Sequence, residues 1–447
     1  MLQPYLFGCS NLPFRQNPPE VGEIEITPQN HNQIDPDIPA WWHLLGSRQL
    51  DNLIHQALEQ NPTIHQSLTR IEQTRTALLR SQSDKLPSLD LQAGTSIQRG
   101  KTKSEAYSAG LAASYELDLW NRRNAVTESA RHDSLASVLD ARTAKLSLSA
   151  EIAGSWIRIQ YQHRRHNLLK QLYNLGEKHI FLIRTQFSNG LGRAGDILTQ
   201  LKNQETIQSR IDMLTTDMEI EYQNLSTLCG QPADSIKSIH IESLTIPDTP
   251  PETASWKELL NSRPDIQASW QRVRSAEWSA TAAERARYPT FSLSAAVENT
   301  SDTLAELLDD WLWKLAGNLI MPLIDGDSRL LAQKQQEAIA DERLWQYRQT
   351  VLEAIADLTQ AWSREMLQHQ QLKLNHQQLT LTRLQKEQAA ASFQYGETTL
   401  IPALSQHSAL LEQQLTTLSS TRDLMLARIS LIRAAGGALV TSFGEPQ

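Results

Sequence analysis

The spacing of apolar residues along the chain alternates between two periods. Residues 49–84 carry apolar side chains three and four positions apart, which predicts helix, with a kink or a break into two stacked helices at Asn61-Pro62. From residue 87 to 120 the period becomes two, because the odd positions in 89–97 and 107–119 are mostly apolar. We interpret this second segment as a β-hairpin with one apolar face.

A much longer helix is predicted from Arg123 to Phe187, where apolar residues keep the helical spacing and no proline occurs. At about 1.5 Å per residue this helix is about 100 Å long, so it must pack beside other helices of the same kind. A glycine-containing turn at 189–195 reverses the chain, and a shorter helix is predicted over 196–229.

The whole series then occurs a second time. Asn61-Pro62 corresponds to Arg263-Pro264, and Leu86-Pro87 corresponds to Tyr288-Pro289. The second half predicts helices at 255–287, 327–393 and 402–435. The predicted organisation is a leader at 1–9, a proline-rich extended arm at 10–48, a first repeat at 49–230 with its hairpin at 87–120 and its turn at 189–195, a connector at 231–254, a second repeat at 255–436 with its hairpin at 289–322 and its turn at 395–401, and a tail at 437–447.

Composition removes several classes of function. A mean hydropathy of −0.43 argues against a polytopic helical membrane protein. The net charge is −8 and the basic residues form no stripe, so nucleic acid is not an expected partner. Cys9 and Cys229 lack the spacing of a metal or redox motif, and Cys229 is expected to be a small buried residue. No catalytic constellation is present, so we expect no enzyme, no cofactor and no metal site.

Four strands in one chain leave a sheet with two bare edges. A sheet that spans lipid must close, and outer-membrane barrels have at least about eight strands, so several copies would have to contribute. The odd face would then meet lipid, with an aromatic girdle near the strand ends at Tyr107, Tyr115, Trp120, Tyr288, Trp311 and Trp313. Two alternatives remain open: a soluble β-layer with a buried apolar face, and a helical scaffold or adhesin of the cell envelope without a pore.

The order of motifs resembles the TolC-like outer-membrane efflux family, in its lipid-anchored NodT-type branch. The resemblance runs from about residue 20 to 440 and rests on Trp42, 50–54, 116–120 with Arg122, 263–266, Tyr288-Pro289, Leu293, Pro322-Leu323 and Gly326. It implies a homotrimer in which four strands per chain complete a 12-stranded membrane β-barrel above a long α-helical barrel. It also implies a passive conduit for drugs, metals or other small molecules, with a periplasmic adaptor, an inner-membrane transporter and outer-membrane lipid as partners.

The resemblance also assigns roles to particular residues. Leu6-Phe7-Gly8-Cys9 resembles a lipobox, which implies lipidation of Cys9 and anchoring in the outer membrane, although only eight residues precede the cysteine and none is charged. The tip turns imply a periplasmic entrance and an adaptor contact at Gly190, Leu191, Arg193, Asp196, Gly396 and Glu397. Asp196 is expected first of all to be a helix N-cap, and an acidic ring is expected to be weak because Pro402 and Ser405 replace acidic residues.

Overall fold

The computed structural model describes residues 37–99, 103–233, 235–241, 260–303 and 309–437. The Pro-rich arm before residue 37, most of the predicted connector and the tail after residue 437 lie outside these ranges. Among the helices of the described ranges, none combines the length and the apolar character that crossing a lipid bilayer requires.

The elements follow the predicted order. A short 3₁₀ helix at Trp41–Leu45 precedes the first repeat. The first repeat consists of α1 (Arg48–Gln60), α2 (Pro62–Ser83), β1 (Ser88–Arg99), β2 (Lys103–Leu117), α3 (Arg122–Ser188) and α4 (Ala194–Leu228). The second consists of α5 (Pro264–Arg285), β3 (Thr290–Ser301), β4 (Leu312–Ile320), α6 (Ser328–Gln394) and α7 (Leu400–Ala434).

The two repeats have equal helix lengths. The long helices α3 and α6 each have 67 residues, α4 and α7 each have 35, and α2 and α5 each have 22. At about 1.5 Å per residue the long helices extend about 100 Å. The predicted fold class, mainly helical with four strands per chain, is confirmed, and the equal lengths support the internal twofold repeat.

The helices form a wall of four parallel columns. Helices α2 and α4 are stacked end to end and pack along α3, and α5 and α7 are stacked in the same way between α3 and α6. The stack of α2 on α4 starts at Asn61, whose side chain accepts a hydrogen bond from Thr63 N and donates one to Leu228 O. The predicted interruption at Asn61-Pro62 is therefore a break between two helices.

Glycines allow the stacked helices to meet. Gly230 follows the end of α4 with φ +74°, and a Cβ there would lie 2.5 Å from Gln60 O. Gly436 repeats the arrangement with φ +67° beside Ser262 O. The largest hydrophobic core surrounds this level, and it buries Trp41 completely, with its indole N–H donating to Ser149 Oγ at 3.0 Å. We call this level the equator.

The four strands form one antiparallel sheet in the order β1-β2-β3-β4. The two predicted hairpins are joined by pairing of β2 with β3, where Ala113 lies opposite Ala295. The sheet extends from one end of the helical wall, and the turns at Gly190 and Gly396 lie at the other end, because each long helix runs from the sheet to a turn.

Candidate functional site: the channel wall, the sheet and the tips

The sheet exposes its apolar odd-numbered face. Leu91, Trp313 and Leu315 are 78%, 76% and 72% exposed. Leu89, Ile97, Leu111, Leu293, Val297 and Leu319 are exposed on the same face. The even-numbered positions are mostly polar, and Lys314 pairs with Glu298 across β3 and β4. Within the described ranges the chain itself does not cover the odd face, contrary to the alternative of a β-layer with a buried apolar face.

The aromatic residues predicted as a girdle lie at both ends of the sheet. Trp120 and Tyr288 are at the helical end, with ring centroids 5.4 Å apart, and the Trp120 indole N–H donates to Pro289 O at 2.7 Å. Trp311 and Trp313 are exposed at the opposite end of β4. The remaining two, Tyr107 and Tyr115, lie half-buried within β2.

A charged collar connects β2 to α3. The Glu116 carboxylate accepts from Arg122 Nη2 at 2.7 Å and from Arg123 Nη2 at 2.8 Å. Asp118 accepts from the backbone N–H groups of Arg123 and Asn124, so this carboxylate caps the start of the long helix. A cavity of about 630 Å³ opens beside the collar and is also lined by serines of β1, β2 and β3.

Helix α6 leaves an apolar stripe uncovered. Leu367, Leu374 and Leu381 are 60%, 46% and 62% exposed. Adding 206 to a residue number in α3 gives its equivalent in α6, since the two helices start at Arg122 and Ser328. The equivalents of Leu367 and Leu381 are Tyr161 and Leu175, which are only 6% and 7% exposed because α3 has helices on both sides. One side of α6 therefore carries apolar residues of the kind that α3 buries, but no other helix of the described chain covers them.

The two tip turns have the same backbone conformation. Gly190 and Gly396 have φ +75° and +76°, a conformation that favours glycine at the end of a helix. Each is next to a highly exposed apolar residue, since Leu191 is 81% and Tyr395 is 82% exposed. Both predicted turn glycines thus occupy positions with a left-handed backbone, which favours glycine.

The expected capping role of Asp196 is wrong. Helix α4 begins at Ala194, so Arg193 holds the N-cap position and its side chain makes no capping hydrogen bond. Gly195 adopts helical conformation, which moves the helix start two residues towards the turn and leaves Asp196 in the first turn. There its charge is favourable to the helix dipole. Within the described ranges, no ion pair involves Arg193 or Glu397.

The two cysteines differ in what the structure shows of them. Cys229 is fully buried, as expected, and burial raises the pKa of its thiol to about 11. Cys9 lies outside the described residues. In the parts of the chain that the structure covers, no group of three or more His, Cys, Asp or Glu side chains is placed to hold a metal ion.

Sequence reasoning did not identify the apolar stripe on α6. Its leucines recur every seven residues, but a single chain offers many such spacings. The stripe can be recognised only when the exposure of each residue in α6 is compared with the burial of its equivalent in α3.

A duplicated helical wall that carries a four-stranded sheet is the fold of an outer membrane channel of known structure. The chain belongs to the outer membrane efflux protein family, whose model matches residues 53–231 and 256–437. It is an outer-membrane channel component of an efflux or export system.

Three comparisons illustrate this membership. The pyoverdine export outer membrane protein OpmQ of Pseudomonas aeruginosa is 25% identical over 418 residues, covering 90% of this chain and 88% of that protein. The probable outer membrane lipoprotein SilC of Salmonella typhimurium is 22% identical and covers 97% of each protein. The crystal structure of the CmeC outer membrane channel of Campylobacter jejuni has a TM-score of 0.82 at 19% identity, covering 94% of this chain and 93% of that one.

Proposed function

We propose that three copies of this chain form a continuous tunnel through which small molecules leave the periplasm passively. Their twelve strands close a barrel in the outer membrane, and their helical walls close a tunnel below it. The observation that carries the proposal is the odd-numbered apolar face of the sheet, which the chain leaves uncovered beside two open strand edges. Lipid on that face and strand pairing at those edges satisfy both features.

The helical edges support closure by cyclic symmetry, which keeps facing residues of neighbouring copies at the same height. Leu374 of α6 is at the height of Leu168 of α3 by the repeat, and the adjacent Leu169 packs with Leu214 of α4. The neighbouring Met213, 66% exposed on the opposite edge of the wall, is therefore level with Leu374.

A second pair of residues repeats this match. Leu367 of α6 is at the height of Tyr161 in α3. Close to that height, His163 Nε2 lies 2.8 Å from the hydroxyl of Tyr222 in α4. Ile220, two residues away and 49% exposed, is then level with Leu367. The two free edges of the wall carry apolar side chains at corresponding heights, as a closed ring of copies requires.

We also propose that Cys9 carries lipid and anchors the channel. Asp37 is tied to the wall through Lys145 Nζ at 2.7 Å and through Arg142 Nε at 3.1 Å. These two residues lie about 20 to 23 positions into α3, or roughly 30 to 35 Å from the sheet end. An extended chain from Cys9 to Asp37 can reach about 87 Å. This length is enough for a lipid on Cys9 to reach the outer membrane at the sheet end of the wall. The similarity to the probable lipoprotein SilC supports this assignment.

The tips are proposed as the periplasmic entrance and the adaptor contact, at Gly190, Leu191, Arg193, Asp196, Gly396 and Glu397. Exposed Leu191 and the exposed Tyr395 beside Gly396 give this end an apolar surface that a protein partner can cover. An adaptor there would connect the tunnel to an inner-membrane transporter. Drugs, metals and other small molecules are the proposed cargo.

The proposal is tested by extraction, mass and conductance. The protein should require detergent for release from outer membranes and should have the mass of a trimer. In planar bilayers, a Leu191→Asp/Tyr395→Asp variant should conduct more than the wild type, because three copies would bring these negative charges together around the tip end of the proposed tunnel, where their repulsion widens the entrance. A Gln171→Asp/Gln377→Asp variant, altered at two exposed positions higher on the wall, is the control. A purified trimer that never conducts, with or without the tip changes, contradicts the conduit.

A further inference from the structure

The sheet of one copy ends at β1 on one side and at β4 on the other. We propose, on the basis of the trimer proposed above, that β4 pairs antiparallel with β1 of the next copy in one defined register. In that register Leu319 lies opposite the partner's Ala93. The internal repeat of the chain fixes this register.

The strands of the two repeats correspond residue by residue. The hairpin β1–β2 pairs Ser88 with Ser114, and the hairpin β3–β4 pairs Thr290 with Ile320. Both first strands start directly after an equivalent proline, Pro87 or Pro289. Adding 202 to a β1 residue therefore gives its β3 equivalent, and adding 206 to a β2 residue gives its β4 equivalent. The second value is also the spacing between the starts of α3 and α6, so the strands and the long helices give the same offset between the two repeats.

The pairing of β2 with β3 is the contact between repeats inside one chain. There Ala113 lies opposite Ala295. The repeat equivalent of Ala113 is Leu319, and that of Ala295 is Ala93. Between copies the same arrangement therefore places Leu319 opposite the partner's Ala93. It also places Leu315 opposite the partner's Ile97, and Ala316 opposite Ser96 of the partner subunit.

The side chains fit this register. Odd positions meet odd positions, so the apolar face continues across the boundary between copies, whereas a slip of one residue would bring polar side chains onto it. Leu319 faces the small Ala93 of the partner subunit and Gly317 faces the partner's Thr95, whereas Leu315 and the partner's Ile97 form an apolar pair. Lys314 lies opposite the partner's Gln98, so no like charges are opposed.

The register also extends β4. Inside the chain, β2 pairs with β3 as far as Leu117, and Tyr115 lies opposite Leu293. The pairing of β4 with β3 stops at Ile320. The β4 equivalent of Tyr115 is Met321, which is 57% exposed and has no strand partner in the described ranges. In the proposed seam Met321 pairs with the partner's Leu91.

Disulfide formation between copies tests the register. We choose the double variant Ser96→Cys/Ala316→Cys in a Cys9→Ser background, in which the remaining Cys229 is fully buried. Facing residues of paired strands have Cα atoms about 4.5–5.5 Å apart, within disulfide range. Inside one chain, β2 and β3 separate β1 from β4 by about 14 Å, so only a bond between copies can form. The matched control is Gln92→Cys/Ala316→Cys, which the register places four residues apart.

A helical pair separates failure of the register from failure of the trimer. The pair Gln73→Cys/Gln335→Cys is the repeat equivalent of Ser275 and Ser129, whose hydroxyl oxygens lie 3.0 Å apart inside the chain. It spans the helical seam and should cross-link in any closed ring. We expect ladders up to trimer for Ser96→Cys/Ala316→Cys and at least tenfold less product for the control. Stronger linking of the control, or none at the strands while the helical pair links, overturns the register. If no pair cross-links and the mass is that of a monomer, the proposed trimer itself is wrong.

Discussion

At the scale of single residues, the glycines at the equator do more than supply a left-handed conformation. Gly230 and Gly190 share nearly the same φ, but only Gly230 lies against another backbone, since nothing lies within 4 Å of a Cβ built on Gly190. The two positions therefore separate the cost of conformation from the cost of contact.

We expect Gly230→Ala to lower the unfolding temperature clearly more than Gly190→Ala. Both changes cost about 1–2 kcal/mol for the left-handed conformation, but only the first forces a Cβ to 2.5 Å from Gln60 O. Thermal unfolding of the two variants side by side measures the difference. Equal shifts would show that the stacked helix ends do not press on each other.

A buried ion pair in α6 and α7 has no counterpart at the equivalent positions of the first repeat. Glu365 is fully buried, and one of its oxygens accepts from Arg428 Nη2 at 2.6 Å and from Nε at 2.9 Å. The repeat equivalents are Ile159 and Tyr222, which form no such pair. Burial raises the pKa of the Glu365 carboxyl above its ordinary value, although Arg428 opposes the shift.

This pair predicts a specific pH dependence. The folded protein holds the Glu365 proton to higher pH than the unfolded chain, so this group favours folding fully below its ordinary pKa. The contribution is lost as pH rises through the raised pKa. Glu365→Gln should flatten the corresponding part of the pH dependence of unfolding, measured as wild type minus variant between pH 4 and 7. A difference that does not change with pH contradicts the assignment.

Removing only one partner should be more damaging than removing both. Arg428→Met leaves a buried carboxyl without its cation and should cost about 3–5 kcal/mol. The double variant Glu365→Leu/Arg428→Met should recover most of this loss, since the first repeat holds uncharged residues at the same positions. Chemical denaturation of the three proteins gives the comparison, and a double variant as unstable as the single one would contradict this prediction.

At the scale of elements, assembly of the proposed trimer depends on the apolar stripe of α6. We expect Leu367→Glu to reduce the yield of assembled trimer at least tenfold, because burying an ionised side chain in an apolar seam is costly. Gln377→Glu on the same helix is the matched control, since its repeat equivalent Gln171 stays exposed with helices on both sides. Mass measurement in detergent reports the outcome, and equal trimer yields would place the seam elsewhere.

The elements themselves were accessible from the sequence. The sequence predicts α3 at 123–187, and the helix spans Arg122–Ser188. The agreement is close because the apolar spacing is uninterrupted and glycine marks the end of the helix. Strand β4 was harder, as Leu312 and Ile320 interrupt the alternation. The pairing of β2 with β3 and the stripe on α6 could not be predicted, since both depend on contacts between distant segments. The helical start before Asp196 depends on Gly195, whose conformation local sequence does not determine.

At the scale of the whole molecule, the proposed lipid anchor and the assembly of the proposed tunnel should be independent of each other. We expect Cys9→Ser to abolish incorporation of labelled fatty acid while leaving the mass of the trimer unchanged, because the wall that the structure describes is formed by residues within 37–437 and its contacts do not use Cys9. Cys229→Ser should retain full labelling, since that thiol is buried and its raised pKa keeps it protonated. Labelling that persists in Cys9→Ser would place the lipid on another residue.

The equator also sets the mechanics of the wall. The two stacked columns are interrupted there, at Gly230 and Gly436, whereas α3 and α6 pass through without a break. Below that level each of α4 and α7 is a stiff helix of about 50 Å. A rotation of one degree at its upper end moves its lower end by about 0.9 Å, so a bend of ten degrees displaces a tip turn by about 9 Å. Repacking of side chains at mid-height that bent α4 or α7 would therefore shift the tip turns by several ångströms and alter the width of the proposed tunnel.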